Sequence, residues 1–202
     1  MRAALLTAFV AFVFSTVALA AAEAPPVNPP MTGPRVLFHT SMGDFTLQLD
    51  SAHAPLTVAN FLRYVREEHF DGTVVYRVVP GFVIQAGSWT ADVKYRPADR
   101  HVMLEPGRHN LRGTIAMARG DDPESATAEF FINLADNLRL DADPTITDHP
   151  TGTAVFGAVT TGMEVIDAIA HVPLGDNGPM KGAAPVDPVT IIKVSVLPDG
   201  TP

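Results

Sequence analysis

The chain has 202 residues, a formal charge of −8 (Lys+Arg 14, Asp+Glu 22), and is 47% hydrophobic and 18% charged. That length and balance suit one globular domain with short extensions, and the acidic surplus argues against nucleic acid or an anionic membrane surface as the main partner. There is no cysteine, so disulfides, thiolate catalysis and cysteine metal sites are excluded.

The first 22 residues carry one basic residue, Arg2, then an apolar run from Ala3 to Ala20 that ends in small residues with A-x-A spacing at Ala18-Leu19-Ala20 and Ala20-Ala21-Ala22. This is the layout of a secretory signal peptide, and it predicts an exported protein. An uncleaved membrane anchor is the rival reading, since the run approaches the length of a span. The small residues that end it, and the missing basic cluster behind it, favour the signal. Residues 23–34, EAPPVNPPMTGP, read as a proline-rich extended tether outside the fold.

The folded domain is expected over 35–198, with a short tail at 199–202. Alternation in RVLFHTSMGDFTLQLD predicts a hairpin that turns at Ser41-Met42-Gly43-Asp44. The period then changes: Val58, Phe61, Leu62 and Val65 fall on one helix face, and Pro55 suits the first turn. Short strands follow at Val74 to Val79, Val83 to Trp89, Gly113 to Ala118, Glu129 to Leu134 and Thr153 to Val159. Thr161-Gly162-Met163-Glu164 has a capping-box pattern before a second helix, and PVTIIKVSVL closes the chain as a strand. About eight short strands and two helices make a mainly β fold, a β-barrel with helices packed on its ends.

Motifs for other chemistries are missing: no G-x-S-x-G, P-loop, G-x-G-x-x-G or H-E-x-x-H occurs. The seven histidines show no ligand spacing. Asp141, Asp143 and Asp148 hint at a calcium loop, but Ile146 stands where an EF-hand needs glycine and Gly152 where it needs glutamate. Neither a metal nor a cofactor is expected.

The stretch VVYRVVPGFVIQAGSW, from Val74 to Trp89, sets Arg77 and Gln85 inside apolar strands, where an unpartnered polar group is costly. Pro80-Gly81 fits the centre of a type II turn. If Pro80, Gly81 and Phe82 form the connection, Arg77 faces Gln85 and Val79 faces Val83. Tyr76, Val78 and Ile84 are then left for the buried face. From pattern alone, an ordinary edge-strand arginine is an equal reading.

YRVVPGFVIQAGSW resembles the cyclophilin signature F-H-R-x-I-P-G-F-x-x-Q-G-G. GTIAMAR, EFFINLADN and AVFGAV follow in family order, and APLTVANF is similar to the family's first helix. The resemblance runs from Arg35 to Leu197 and is nearest to periplasmic cyclophilins of Gram-negative bacteria. It implies a cyclophilin-like eight-stranded antiparallel β-barrel capped by two α-helices. It also implies peptidyl-prolyl cis–trans isomerase activity on proline-containing polypeptides, here unfolded exported proteins. A proline-segment-binding chaperone module with little turnover is the alternative. Nothing calls for a stable oligomer.

Carried over by motif, Arg77 is the catalytic guanidinium and Gln85 orients it. Phe82, Val83, Phe131 and Leu140 match the proline pocket, with Met117 beneath. Ala118, Arg119 and Gly120 match the rim that meets substrate backbone. Glu129 stands where the family commonly has glutamine, and is expected at the substrate site, where it could ion-pair with Arg77. Arg139 and Thr153 replace a tryptophan and a histidine of the eukaryotic family, which implies weak inhibition by cyclosporin. Val83 replaces a common methionine.

Overall fold

A computed structural model describes residues 25–145 and 150–198. The segment read as a signal peptide, the last four residues and part of the 141–152 loop lie outside them. Among the described residues, no helix is long and apolar enough to cross a membrane.

The first hairpin pairs β1 (Arg35–Thr40) with β2 (Gly43–Leu49) in the register Phe38 opposite Phe45 and Val36 opposite Leu47. Both strands turn these side chains inward, and the Phe38 and Phe45 rings stack at 4.7 Å. Helix α1 (Pro55–Arg66) buries Val58, Phe61, Leu62 and Val65, the face its spacing predicts. Its first turn has no local cap. Instead Glu105 accepts hydrogen bonds from the backbone N–H groups of Leu56 (3.1 Å) and Thr57 (2.8 Å), placing a carboxylate on the positive end of the helix. Phe61 reaches the barrel interior, where it meets Phe38, Phe70, Phe130 and Phe156.

Then come β3 (Arg77–Val79), β4 (Val83–Ala86), β5 (Thr114–Met117), β6 (Phe130–Asn133), a 3₁₀ turn (Leu138–Leu140), β7 (Val155–Thr161), α2 (Met163–Ile169), a small hairpin of β8 (Leu174–Gly175) and β9 (Ala184–Pro185), and β10 (Ile191–Val196). The main sheet has eight strands in the order β10-β1-β2-β7-β5-β6-β4-β3, with every pairing antiparallel. It curls until its edges meet just before β3 and β10. There Gly72 N–H donates to Ile191 O (2.8 Å), Ile191 N–H to Thr73 O (2.8 Å) and Val75 N–H to Val189 O (2.9 Å). Those bonds satisfy backbone groups that an open edge would leave bare.

Two local expectations differ. The capping box at Thr161 does not form: β7 runs through Thr161, and Gly162 caps α2 in the left-handed region at φ 81° without a side-chain bond. A Cβ on Gly162 would stand 2.3 Å from Asp44 O, so close packing on the first hairpin overrides the local cap. The proline-rich segment forms no helix or strand over residues 25–34, but from Asn28 onward it is docked on the domain. Asn28 exchanges two hydrogen bonds with the His109 backbone (2.8 and 2.9 Å). Arg108, buried in an ion pair with Asp50, donates to Pro29 O (2.7 Å). Burial of that pair is favourable only with its remaining donors used, and a carbonyl of the segment takes one of them.

A polar cluster supports the loop after β3. Buried Asn133 donates to Thr114 Oγ1 (2.9 Å) and Asn110 Oδ1 (3.1 Å) and accepts from Asn137 (2.7 Å), which also donates to Phe82 O (2.9 Å). Removing the Asn133 side chain leaves buried groups unpaired, which costs about 1–3 kcal/mol. Asn133→Ala is therefore expected to lower unfolding free energy by about 2 kcal/mol, read as a lower urea midpoint at unchanged m-value.

Candidate active site

The site begins with the turn between β3 and β4. Gly81 has φ +71°, and Phe82 N–H donates back to Val79 O (2.9 Å), closing a Val79–Phe82 turn. The three-residue connection sets Arg77 opposite Gln85, Val78 opposite Ile84 and Val79 opposite Val83, the register that polar pairing predicts. Val78 and Ile84 enter the main core. Arg77 and Gln85 point outward and are half-buried.

Arg77 Nη1 donates to Gln85 Oε1 at 2.9 Å. An arginine can only donate, so the carboxamide must turn its oxygen to Arg77 and its NH₂ away. That NH₂ donates to Tyr76 Oη. Tyr76, expected on the buried face, thus serves the polar pair. Among the described residues, Arg77 makes no ion pair, and it lines an open groove of about 370 Å³.

The groove's floor is a small apolar cluster on the outer face of the sheet: Val83, Ala116, Phe131 and Val155, with Phe82, Ala118 and Leu140 packed against it. Strand alternation divides the two phenylalanines of β6. Phe130 joins the interior core and Phe131 the groove. Met117 lies in the interior core behind this floor. The far wall is tied by Arg119, whose guanidinium donates to Gly152 O (2.9 Å), Gly120 O (2.8 Å) and Thr151 Oγ1 (3.0 Å). Gly120 stands at the rim, with its N–H taken by Ser125 Oγ (2.8 Å). Arg139 covers the Phe82 ring at 4.4 Å, a cation–π contact.

The fold therefore brings Arg77, Phe82, Val83, Gln85, Ala118, Arg119, Phe131 and Leu140 into one groove. Sequence reasoning missed Met180 as a lining residue and treated Thr153 only as a substitution. Met180 comes from the loop between β8 and β9, which is held to the site by Val78 N–H donating to Ala183 O (2.7 Å). A short loop with two glycines, a proline and one methionine carries no periodic signal that could have found it.

Glu129 differs from expectation. It does not pair with Arg77 and does not line the groove. Its carboxylate oxygens are buried, and neither makes a hydrogen bond of good geometry. They lie against Gly87, which has φ +153° and where a Cβ would fall 2.8 Å from Glu129 Cδ. Burial raises the Glu129 pKa to about 7, while the hydroxyls of Tyr76 and Ser88 that face it act to lower it. Burial and Glu129 together push the Tyr76 phenol well above its ordinary value. Ser88 in turn contacts His69 Nε2 (3.0 Å), whose pKa burial lowers to about 4.

An eight-stranded antiparallel sheet curled into a barrel, with an arginine beside an open apolar groove on its outer face, defines the class of fold and site. The comparisons narrow the class. Residues 35–196 match the family model for cyclophilin type peptidyl-prolyl cis-trans isomerases. Peptidyl-prolyl cis-trans isomerase A of Dickeya dadantii is 41% identical over 82% of this chain and 86% of its own. Peptidyl-prolyl cis-trans isomerase B of Escherichia coli is 40% identical over 80% of this chain and 98% of its own. A cyclophilin-type isomerase structure from Cryptosporidium parvum has the same fold, with a TM-score of 0.69 at 21% identity, covering 82% of this chain and 98% of that one. The chain belongs to the cyclophilin family and is a cyclophilin-type peptidyl-prolyl cis–trans isomerase.

The raised Glu129 pKa has a consequence for stability. The folded state holds this proton between about pH 4.5 and 7 while the unfolded chain releases it. Stability therefore falls as pH rises through that window and stays lower above it. The loss is about 3 kcal/mol. Glu129→Gln removes this dependence, so its stability relative to wild type is expected to be greater at pH 8 than at pH 4.5, as read by thermal or urea unfolding.

Proposed function

We propose that Arg77 is the catalytic group and that the protein acts on X-Pro bonds of polypeptides exported to the periplasm. The observation that supports this most is the guanidinium fixed by Gln85 at the edge of a largely apolar groove of about 370 Å³. The barrier to X-Pro rotation is roughly 18–20 kcal/mol and comes from amide resonance. In the twisted amide the nitrogen regains its lone pair and becomes more basic. A donor held near that nitrogen stabilises the twisted state more than either planar isomer.

Each groove residue has a share in this reading. Phe82, Val83, Phe131 and Leu140 hold the proline ring. Ala118, with Arg119 and Gly120 shaping its rim, offers backbone to the substrate. Gln85 fixes the guanidinium. No bond is made or broken, so neither a nucleophile nor a cofactor is called for. The exported role rests on the signal-like sequence of the first 22 residues and is the part furthest from the geometry. Glu129, the departure from the family pattern that leaves room for the binding-module alternative, makes no ion pair with Arg77 among the described residues.

Exchange spectroscopy on a short X-Pro peptide tests the reading. Wild type is expected to accelerate cis–trans exchange, and Arg77→Ala to reduce kcat/KM by about a hundredfold, the scale for losing one charge-stabilising donor. Peptide affinity should change far less. Equal losses of affinity and turnover would make Arg77 a binding group only. With Arg139 on Phe82 and Thr153 at the groove wall, cyclosporin is expected to inhibit weakly, and a nanomolar inhibition constant would contradict that part of the reading.

A further inference from the structure

We propose that Tyr76 and Glu129 are positioning residues of the isomerase site: through a directional hydrogen-bond chain they fix which way the Gln85 carboxamide points and so hold the Arg77 guanidinium at the groove. The inference rests on the role proposed above for Arg77.

The chain follows from counting protons. Arg77 donates to Gln85 Oε1, and Gln85 Nε2 donates to Tyr76 Oη. The Tyr76 hydroxyl is buried and already accepts, so its own proton must go onward. The acceptor facing it is the buried Glu129 carboxylate, neither of whose oxygens has a well-formed hydrogen bond of its own. The first two links are formed in the structure, and the proposal adds the third, from Tyr76 Oη to the facing carboxylate, so that every donor points the same way.

The direction matters. With Glu129 ionised, the carboxylate can only accept, and the sequence of donors is forced. When Glu129 takes up a proton it becomes a donor to Tyr76 Oη. Tyr76 can then donate to Gln85, which turns its oxygen inward and sets its NH₂ against Arg77, donor against donor. The ionised carboxylate is thus the form that holds Arg77 in place. Glu129 titrates at about pH 7, so activity is expected to rise through neutrality. The titratable group behind Ser88 does not compete in that range. Ser88 faces Glu129 and its partner His69 stays neutral, with its pKa near 4. Tyr95 and Arg77 are the remaining ionisable neighbours of Tyr76.

The test follows the Gln85 side-chain amide by NMR, alongside kcat/KM, from about pH 5.5 to about 8.5, in wild type, Tyr76→Phe and Glu129→Gln. In wild type the Gln85 resonances and kcat/KM should move together with one midpoint near 7. Tyr76→Phe should lower kcat/KM about three- to tenfold, with KM little changed, as expected for one hydrogen bond. Both variants should lose the shared midpoint. A Gln85 amide that does not titrate in wild type, or that titrates unchanged in Tyr76→Phe, would overturn the proposal. So would a Gln85 titration through Tyr76 with a flat kcat/KM. A failure of the Arg77 reading looks different: Arg77→Ala would then turn over as well as wild type, whatever the Gln85 amide does.

Discussion

The 2.9 Å hydrogen bond from Arg77 to Gln85 is the interaction around which the groove is organised. A guanidinium on a short strand has many rotamers and a large ordering cost. Pairing it with an amide directly across an antiparallel ladder removes most of that freedom before substrate arrives. A cation left mobile would gain little from a developing lone pair, because each turnover would have to order it again. The pairing in turn depends on register. One residue more or less in the Pro80-Gly81-Phe82 connection would turn either Arg77 or Gln85 into the core.

Much of the remaining structure keeps that register and its surroundings in place. Asn137 holds Phe82 O from one side, and Asn133 holds Asn137. The loop that carries Met180 is bonded to the free edge of β3 through Val78 N–H. Arg119, which the family pattern makes a substrate-facing rim, spends its donors on loop carbonyls and a threonine hydroxyl. In this protein it builds the wall, and the wall shapes the groove. The interior core contributes by stiffness: Phe61 and its neighbouring rings fill the barrel, so the outer face of β4, β5 and β6 is a rigid floor.

Period and turn chemistry made the local elements legible in the sequence. The apolar face of α1, the first hairpin and the Arg77–Gln85 register all follow from alternation and from one Pro-Gly pair. So does the division of Phe130 from Phe131. What could not be read were features decided by distant chain. Glu105 caps α1 from a loop far along the sequence, and the close approach of Gly162 to Asp44 O displaces a good local capping box. Glu129 reads as a surface charge beside an arginine, but its carboxylate turns inward against Gly87 toward Tyr76 and Ser88. No spacing rule distinguishes the two placements, since both put the residue at the same point of the chain and differ only in rotamer. Likewise the prolines of 25–34 predict an extended chain, whereas its docking depends on Arg108.

The central claim is that Arg77 and Gln85 act as one unit. A double-mutant cycle on X-Pro exchange, with Arg77→Ala, Gln85→Ala and the double variant compared with wild type, measures that directly. If the glutamine works only by placing the guanidinium, the double variant will have the same kcat/KM as Arg77→Ala alone. If the two losses in free energy simply add, Gln85 acts independently of Arg77, and the claim that the pair is one unit is wrong.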